Sequence, residues 1–275
     1  MEREPIVAGQ FYPASLKALT DQIESFVNTG PKKEKVKGVV SPHAGYIYSG
    51  KVAVQVFSQI EIPETVVLIG PNHTGRGKRF ALYPDGFWKT PLGNIKIDKE
   101  LSESILKNSE LITEDEQAHI YEHSIEVQLP IIQYFRKDFK IVPIAVAQAD
   151  IESCKKIASA ITDAIKESKK EVLIVASSDM THYEPAKSVK EKDQKAIDAI
   201  LDLDEELLFD RIEKYNISMC GYIPTVIMLA VSKRLGVKKA RLIKYMTSGD
   251  VSGDYDFVVG YAGVIVKWKN IKARK

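Results

Sequence analysis

The chain has 275 residues, of which 44% are hydrophobic and 28% are charged, a composition typical of one large globular core. Its 39 Lys and Arg residues nearly balance 37 Asp and Glu residues, and the net charge of +2 is spread through mixed-sign stretches, which argues against nucleic acid as a partner. The N-terminus lacks the apolar run of a signal peptide and no stretch approaches the roughly 18 apolar residues of a membrane helix, so we expect a cytoplasmic protein without a membrane partner.

Apolar, β-branched runs alternate with amphipathic stretches along most of the chain, which predicts buried strands with helices packed outside them. Helices are predicted near 15–28, 49–59, 98–108, 122–136, 150–168, 186–214 and 222–235. No linker or charge block divides the chain, so we predict a single α/β domain over residues 1–275 with a central, mostly parallel or mixed sheet flanked by helices. The strongest strands are predicted at Val36–Val40, Thr65–Ile69, Ile141–Val146, Glu171–Ala176 and Phe257–Val266.

Two further segments have turn signals. Pro91 and Gly93 mark a turn before the alternating residues 95–98, which predicts an antiparallel ribbon added to the main sheet. The segment 247–254 is rich in Gly, Ser and Asp and follows the strand-like Leu242–Met246. It could be a lid or an anion-binding nest over a pocket, and it is equally consistent with a solvated loop.

Three of the five histidines follow directly on strongly apolar strands. His43 ends the run from Lys37, His73 ends the run from Val66, and His182 follows the run from Val172. If these strands are parallel neighbours, their carboxyl ends share one edge of the sheet, where α/β folds bind ligands. A single loop histidine often serves only as a cap or a hydrogen-bond donor, but three in the same placement predict one pocket and a metal site.

Cys220 is the candidate that completes this pocket, because it precedes a predicted helix and a helix N-terminus favours the thiolate form that binds metals. The neighbouring Gly221 allows a close backbone approach; the competing interpretation is a small buried hydrophobic residue, which we assign to Cys154. Two cysteines are too few for a disulfide framework. Asp179 lies three residues before His182 and could orient that imidazole for acid/base chemistry, or could cap the following turn.

The remaining histidines lie in a short match to the H-x-x-E-H pattern of one metalloprotease class, formed by His119, Glu122 and His123. That class needs both histidines on one helix, whereas core spacing here begins only near residue 122. We therefore interpret Glu122 and His123 as pocket-facing residues at a helix start and His119 as a surface residue. A hydrolytic metalloenzyme remains a weaker alternative.

With these segments assembled, the chain resembles the MEMO family, whose prokaryotic members are also called AmmeMemoRadiSam system protein B. Several collinear motifs carry the resemblance from end to end. They are Ala8-Gly-Gln-Phe-Tyr-Pro13, Pro42-His-Ala-Gly-Tyr46, Gly70-Pro-Asn-His73, Thr90-Pro-Leu-Gly93, Glu122-His-Ser-Ile-Glu126, Ser177-Ser-Asp179 with His182, and Cys220-Gly221.

The resemblance implies a fold like that of the class III extradiol dioxygenases, nonhaem iron enzymes in which two histidines and a glutamate hold the metal. Carried over by motif, His43 and His73 look like the metal pair and His182 like the acid/base residue, with Asp179 beside it. MEMO proteins offer a cysteine, here Cys220, in place of the glutamate. A thiolate favours softer metals, so metal binding carries over more safely than ring cleavage.

The resemblance also suggests how a substrate is held. His123 looks like the second pocket histidine, and we expect Glu122 and Tyr46, which lie in the same motifs, to contact the substrate. Iron is the expected metal and copper the alternative, and the family name implies a functional link to AMMECR1-type and radical-SAM proteins.

Two functions follow from these expectations. The first is a metal-dependent oxidoreductase acting on an unidentified small molecule, with His43, His73 and Cys220 on the metal and His182 and Asp179 managing protons. The second is a peptide- or protein-binding module in which the dioxygenase-like pocket is vestigial. The aromatic residues of the motifs, Phe11, Tyr12, Tyr46 and Tyr48, could line such a cleft or belong to the core.

Overall fold

A mixed β-sheet forms the centre of the computed structural model, which describes residues 2–28 and 33–267. The predicted domain therefore includes Met1, 29–32 and 268–275, which lie outside the described residues. The strands are β1 Glu2–Arg3, β2 Gly38–Ser41, β3 Thr65–Pro71, β4 Phe80–Leu82, β5 Phe87–Thr90, β6 Gly93–Ile97, β7 Thr113–Glu114, β8 Lys140–Val146, β9 Val172–Ser177, β10 His182–Glu184, β11 Lys239–Thr247 and β12 Val258–Lys267.

Helices cover both faces of this sheet. A five-residue π-helix, Tyr46–Gly50, leads directly into the second helix. The α-helices are α1 Leu16–Phe26, α2 Lys51–Phe57, α3 Lys99–Asn108, α4 Gln117–Ile120, α5 Gln128–Phe135, α6 Ile151–Ser168, α7 Ala186–Leu201, α8 Glu205–Lys214, α9 Tyr222–Arg234 and α10 Gly249–Ser252.

The strand order places the parallel strands at the centre of the sheet. It runs β1-β5-β6-β8-β3-β9-β2-β12-β10, with β11 paired to β12 and β4 paired to β7 and β8. The pairs β6/β8, β8/β3, β3/β9 and β9/β2 are parallel, whereas β12 is antiparallel to β2, β10 and β11. The predicted α/β fold with a mixed sheet is confirmed, and so is the antiparallel ribbon, which is formed by β5 and β6.

The apolar runs of the central strands are explained by burial on both faces. In β3, Val67 and Ile69 belong to the core cluster packed under α3, α6, α8 and α9, while Val66 and Leu68 belong to the cluster under α1, α2 and α5. Successive side chains of a strand point to opposite faces, so a strand covered on both sides is apolar throughout. Two hydrophobic cores therefore hold the central strands in place.

Two predicted helix boundaries differ from the structure. The stretch 186–214 forms two helices, because Leu203 takes a positive φ of 58° and the Asp204 side chain then caps α8 by accepting from the Leu207 backbone N–H. The helix predicted from 122 begins only at Gln128, and the preceding residues form turns. Across the described residues, none of the helices is both long and apolar enough to span a bilayer.

Candidate metal centre

The carboxyl ends of β2, β3 and β9 meet at one edge of the sheet because these strands are adjacent and parallel. His43, His73 and Asp179 are each the second residue after the end of their strand, β2, β3 and β9 respectively. A cavity of about 480 Å³ opens at this edge. Its wall includes His43, His73, His123, Asp179 and His182. The predicted convergence of His43, His73 and His182 on one pocket is therefore observed.

Three imidazoles stand close enough to share one metal ion. The ring centroids of His43 and His73 are 5.2 Å apart, and His123 lies 5.5 Å from His43 and 4.8 Å from His73. One ligand nitrogen from each ring lies within 4.8 Å of the others. Two imidazole nitrogens bound to one zinc ion at about 2.1 Å can be up to about 4.2 Å apart, so small side-chain rotations would complete the site.

A buried carboxylate orients His73. Glu122, which is 1% exposed, accepts a 2.9 Å hydrogen bond from His73 Nδ1 and a 2.6 Å bond from the His73 backbone N–H. A carboxylate can only accept, so Nδ1 carries the proton and Nε2 is left free for a ligand. Burial opposes protonation of His73, but the hydrogen bond and charge of Glu122 outweigh it and raise the pKa of this imidazole.

The same contacts act on Glu122. Burial disfavours its charged form, yet the hydrogen bond and charge of His73, with a 2.8 Å bond from the Ser124 N–H, lower the pKa of Glu122 to about 2. Glu122 therefore stays ionised inside the protein over the ordinary pH range. We predicted that Glu122 contacts substrate; the structure places it behind His73, and it is absent from the cavity wall.

A neutral network orients His43. The Ser177 hydroxyl must donate its one proton to the Ser124 carbonyl, at 2.6 Å, because a carbonyl cannot donate. Ser177 Oγ therefore accepts from its other neighbours, His43 Nδ1 at 2.9 Å and Gln128 Nε2 at 2.8 Å. This fixes the proton of His43 on Nδ1 and leaves Nε2 as a lone pair. Burial, followed by the nearby imidazoles of His73 and His123, holds the pKa of His43 well below its usual value.

The other two cavity histidines, His182 and His123, have different partners. His182 Nδ1 lies 2.7 Å from the Ser218 carbonyl, and its backbone N–H donates to Ser218 Oγ at 2.8 Å. Ser218, not Asp179 as we predicted, thus sets the tautomer of His182. His123 stacks on His73, and its ring centroid lies 4.9 Å from that of Phe11. Burial lowers the pKa of His123.

Asp179 braces the loop that carries His43. Its Oδ1 accepts from the His43 N–H at 2.8 Å and from the Ala44 N–H at 3.3 Å. Burial raises the pKa of Asp179 to about 6, because these two bonds and the neighbouring imidazoles only partly compensate for the loss of water. Asp179 can therefore exchange a proton close to neutral pH.

Cys220 lies beside His43, with its Sγ 3.3 Å from His43 Nε2, and it accepts from the Asp179 N–H at 3.3 Å. Gly221 makes this possible, since a Cβ there would collide with Ser177 O and Ser178. We predicted that the position of Cys220 before α9 favours the thiolate. The structure shows the opposite, because burial, with the charge of Asp179, raises the pKa of the Cys220 thiol. Its role as a metal ligand stays a prediction.

Comparison with other proteins identifies the family. A sequence profile described as "Memo-like protein" matches residues 3–265. The chain belongs to the Memo family. A "MEMO1 family protein" of Methanosarcina mazei is 48% identical over 96% of this chain and 99% of its own, and one of Aquifex aeolicus is 46% identical over 96% of this chain and 98% of its own. An uncharacterized Escherichia coli protein, JW3007, shares the fold, with a TM-score of 0.54 and 11% identity over 84% of this chain and all of its own.

Tyr46 of this Memo-family protein lies in the core, away from the cavity wall. It is 1% exposed, and its hydroxyl donates to the Val127 carbonyl at 2.7 Å. The predicted substrate contact by Tyr46 thus has no counterpart in the geometry. Of the other motif aromatics, Tyr12 is also buried and donates to Glu126 at 2.7 Å, whereas Phe11 and Tyr48 line the cavity.

The prediction that His119 is a surface residue is wrong. His119 is fully buried, its Nε2 donates to the Ala81 carbonyl at 3.1 Å, and burial lowers its pKa to about 4. Arg3 covers it: the guanidinium donates to the His119 carbonyl at 2.8 Å, to the Glu122 carbonyl at 2.6 Å and to Glu126 at 2.8 Å. His119 and the N-terminal segment therefore support the turn that carries Glu122, and the histidine cluster does not include His119.

Sequence reasoning missed part of the cavity wall of this Memo-family protein. The loop 247–254 contributes to the wall, as one of its predicted alternatives implied, but the N–H of Thr247 bonds to Asp250 and that of Ser252 to Ser248, so these groups are not free for an anion. Ser177, which orients His43 from behind, was also missed. It could have been found as the polar residue that ends a buried strand. Tyr183, Phe257 and Tyr261 had no comparable signal.

Proposed function

We propose that this Memo-family protein is a metal-dependent oxidoreductase that holds iron, with copper as the alternative, at His43, His73 and His123. The observation that carries the proposal is the approach of these three imidazoles, with ligand nitrogens within 4.8 Å of one another in a cavity. Imidazole suits iron and copper, and a redox-active ion would supply electron transfer to or from a bound substrate. The resemblance to nonhaem iron dioxygenases favours iron.

The hydrogen bonds behind the imidazoles support metal binding. Metal-ligating histidines usually donate their second ring N–H to a carboxylate, carbonyl or water, which fixes the tautomer and orients the ring. His73 donates to Glu122, and His43 donates to Ser177. In the neutral form of each ring, Nε2 therefore carries the lone pair, and the low pKa of His43 keeps that ring neutral.

We assign proton handling to His182 and Asp179. His182 lies on the cavity wall outside the three-histidine cluster, with its Nδ1 engaged by Ser218 and its Nε2 left to exchange a proton with a substrate. Asp179, with a pKa of about 6, can accept a proton at neutral pH. Both residues lie on the same wall as the proposed ligands.

Metal content measured variant by variant tests the ligand set. Protein is purified without oxygen in the presence of Fe²⁺, and metal stoichiometry is determined for wild type and for His43→Ala, His73→Ala and His123→Ala. We expect each substitution to reduce metal content severely, whereas the matched control His182→Ala retains it. Equal metal content in wild type and His43→Ala would refute the proposal. Cys220→Ser decides whether the thiol is a further ligand, as the resemblance implies.

The alternative, a peptide- or protein-binding module, is supported by the exposed aromatic side chains Tyr48, Tyr183 and Phe257 on the cavity wall. A pulldown without a partner, alongside metal-dependent turnover, would count against it.

The link to AMMECR1-type and radical-SAM proteins is likewise part of the proposal. A cytoplasmic location is supported by the two cysteines, Cys154 and Cys220, which are both unpaired.

A further inference from the structure

A second cavity lies at the edge of the sheet opposite to the histidines. Its wall is formed by residues that precede three parallel strands, from 33–37 before β2, 61–63 before β3 and 171 before β9, together with the end of α5. Its volume is about 390 Å³, within the range of small-molecule sites. Because the carboxyl ends of these strands reach the metal centre and their amino ends reach this cavity, the two sites are separate.

Basic side chains outnumber acidic ones in the wall of this second cavity. Of the described residues that line it, four are basic and two are acidic: Lys33, Lys35, Lys37 and Arg136, and Glu61 and Glu171. We call it the basic cavity. The nearby Glu34 does not change this balance, because it already pairs with Arg241 and Lys267. The two positive charges in excess complement a ligand with two negative charges.

Arg136 is held in place by neutral partners. Its Nε donates to the Asp138 carbonyl at 2.6 Å, and its Nη1 donates to the Ile62 carbonyl at 2.8 Å. Carbonyl groups fix the guanidinium without cancelling its charge, and within the described residues Nη2 meets no acceptor. The planar fork of a guanidinium matches two oxygens of a phosphate group, so a fixed arginine with open N–H groups is well suited to bind phosphate.

Two lysines of the basic cavity repel each other. Burial lowers the pKa of the half-buried Lys37, and the charge of Lys35 acts in the same direction, while that of Glu171 opposes both. Lys35 pairs with Glu171 at 2.9 Å, but both side chains are more than half exposed, so this ion pair is weak. A bound anion would offset the repulsion and compete easily with the Glu171 carboxylate.

The basic cavity also has an apolar wall. Ile62 and Val172 are buried in the fold, whereas Phe135 and Pro63 keep part of their surface open. The Lys33 ammonium lies 5.3 Å from the centroid of the Phe135 ring, so a positive charge lies directly beside apolar surface. A ligand that fills the cavity therefore combines an anionic group with an apolar body.

We propose that the basic cavity binds a phosphate monoester of a small organic molecule, with the phosphate on Arg136 and the lysines and the organic body against Phe135 and Pro63. A phosphate monoester carries a charge of about −1.5 to −2 at pH 7 and three acceptor oxygens, which fits both the charge excess and the arginine fork. The site goes beyond the proposed metal centre and does not depend on it.

Three matched ligands test which features the cavity recognises. Phenyl phosphate is a dianion with a ring, phenyl sulfate has nearly the same shape with one charge, and methyl phosphate keeps both charges without the ring. Each is titrated by calorimetry into the full chain without metal, so that no metal ion can bind the phosphate. We expect phenyl phosphate to bind about 5-fold more tightly than phenyl sulfate and about 3- to 10-fold more tightly than methyl phosphate.

Charge variants test whether the ligand lies in the basic cavity. Arg136→Gln is expected to bind phenyl phosphate about 10-fold more weakly, because it loses charge-assisted hydrogen bonds. Glu171→Gln is expected to bind it about 2- to 5-fold more tightly, because the carboxylate that competes for Lys35 is removed. A poorly folded variant cannot bind more tightly, so Glu171→Gln keeps the test decisive even if Arg136→Gln does not fold.

Matched controls make the same charge changes at exposed positions outside the cavity wall. Lys107→Gln, in the last turn of α3, and Glu110→Gln should both bind phenyl phosphate like wild type. No binding of phenyl phosphate, or equal binding by wild type and either Arg136→Gln or Glu171→Gln, would overturn the site. Equal binding of phenyl phosphate and phenyl sulfate would overturn the phosphate assignment, and equal binding of phenyl phosphate and methyl phosphate would overturn the assigned organic body.

Discussion

Two buried carboxyl groups of the same site have pKa values shifted in opposite directions. The pKa of Glu122 is lowered to about 2, and that of Asp179 is raised to about 6. Burial disfavours the charge of both, so their partners make the difference. Glu122 receives the ring N–H of His73 as well as two backbone N–H groups, whereas the bonds to Asp179 come from the backbone alone.

This contrast separates a structural role from a chemical one. A carboxyl group with a pKa near 2 is a fixed charge at neutral pH, suited to orienting His73. A carboxyl group with a pKa near 6 can gain and lose a proton in the working range of an enzyme. Neighbouring groups whose environments push their pKa values apart are a common basis for dividing such roles. The proposed function therefore assigns proton exchange to Asp179 and the orientation of His73 to Glu122.

The largest effect is expected for Glu122→Gln. An amide can accept with only one oxygen, and its NH₂ group would face the N–H donors of His73, so a buried network would break. We expect a loss of about 2–4 kcal/mol in the free energy of unfolding and about 100-fold weaker metal binding. Urea titrations of the metal-free protein and Fe²⁺ titrations measure the two quantities.

The pH dependence of this effect follows from the lowered pKa of Glu122. A carboxyl group whose pKa is lowered by folding stabilises the protein above its unfolded value of about 4.5, and that contribution disappears as the pH falls towards 2. The stability difference between wild type and Glu122→Gln should therefore be full at pH 6 and shrink by pH 3. A difference that is constant with pH would contradict the ionised state assigned to Glu122.

A smaller effect of opposite sign is expected for Asp179→Asn. Because folding raises the pKa of Asp179 from 3.8 to about 6, ionisation costs the folded state more than the unfolded state. Wild type should lose stability relative to Asp179→Asn as the pH rises from 4 to 7, by about 1–3 kcal/mol. Urea titrations of both metal-free proteins at pH 4 and pH 7 measure this change, and parallel pH profiles would show that Asp179 does not titrate as described.

The contrast between these residues shows what the sequence could predict. The positions of His43 and His73 followed from apolar runs that end in histidine, because parallel neighbours must deliver their ends to one edge. The contact of Glu122 with His73 joins residues 49 positions apart, and nothing in the local pattern specifies which side chain Glu122 meets. The sequence analysis therefore assigned Glu122 to the substrate, whereas the structure places it behind His73.

Burial of polar residues was the second limit. His119 has no periodic pattern around it that marks it as buried, and the group that covers it, Arg3, comes from 116 positions away. The motif around Tyr46 gave no reason to choose between core and cavity. Tyr183 faces the cavity only because a bulge interrupts the pairing of β10 with β12, and bulges leave little trace in hydrophobic periodicity.

The smallest effect is expected for Ser177→Ala. Ser177 is the uncharged hydrogen-bond acceptor that orients His43, as the charged Glu122 orients His73. The substitution leaves His43 Nδ1–H without its acceptor, whereas Gln128 keeps the carbonyls of Ser41 and Pro42. We expect a loss of about 1 kcal/mol in stability and about 10-fold weaker metal binding, because a neutral hydrogen bond is weaker than the charged one at His73.

Nitrogen NMR of the imidazoles gives this prediction a readout that a general loss of packing would not change. In wild type, His43 should appear as a single tautomer with its proton on Nδ1, and in Ser177→Ala it should become a mixture, while His73 stays fixed by Glu122. Ser177→Thr, which keeps the hydroxyl, should restore the single tautomer of His43. Wild type and Ser177→Thr both carry the hydroxyl that Ser177→Ala lacks. A mixture of tautomers in Ser177→Thr would therefore show that packing, and not this hydrogen bond, orients His43.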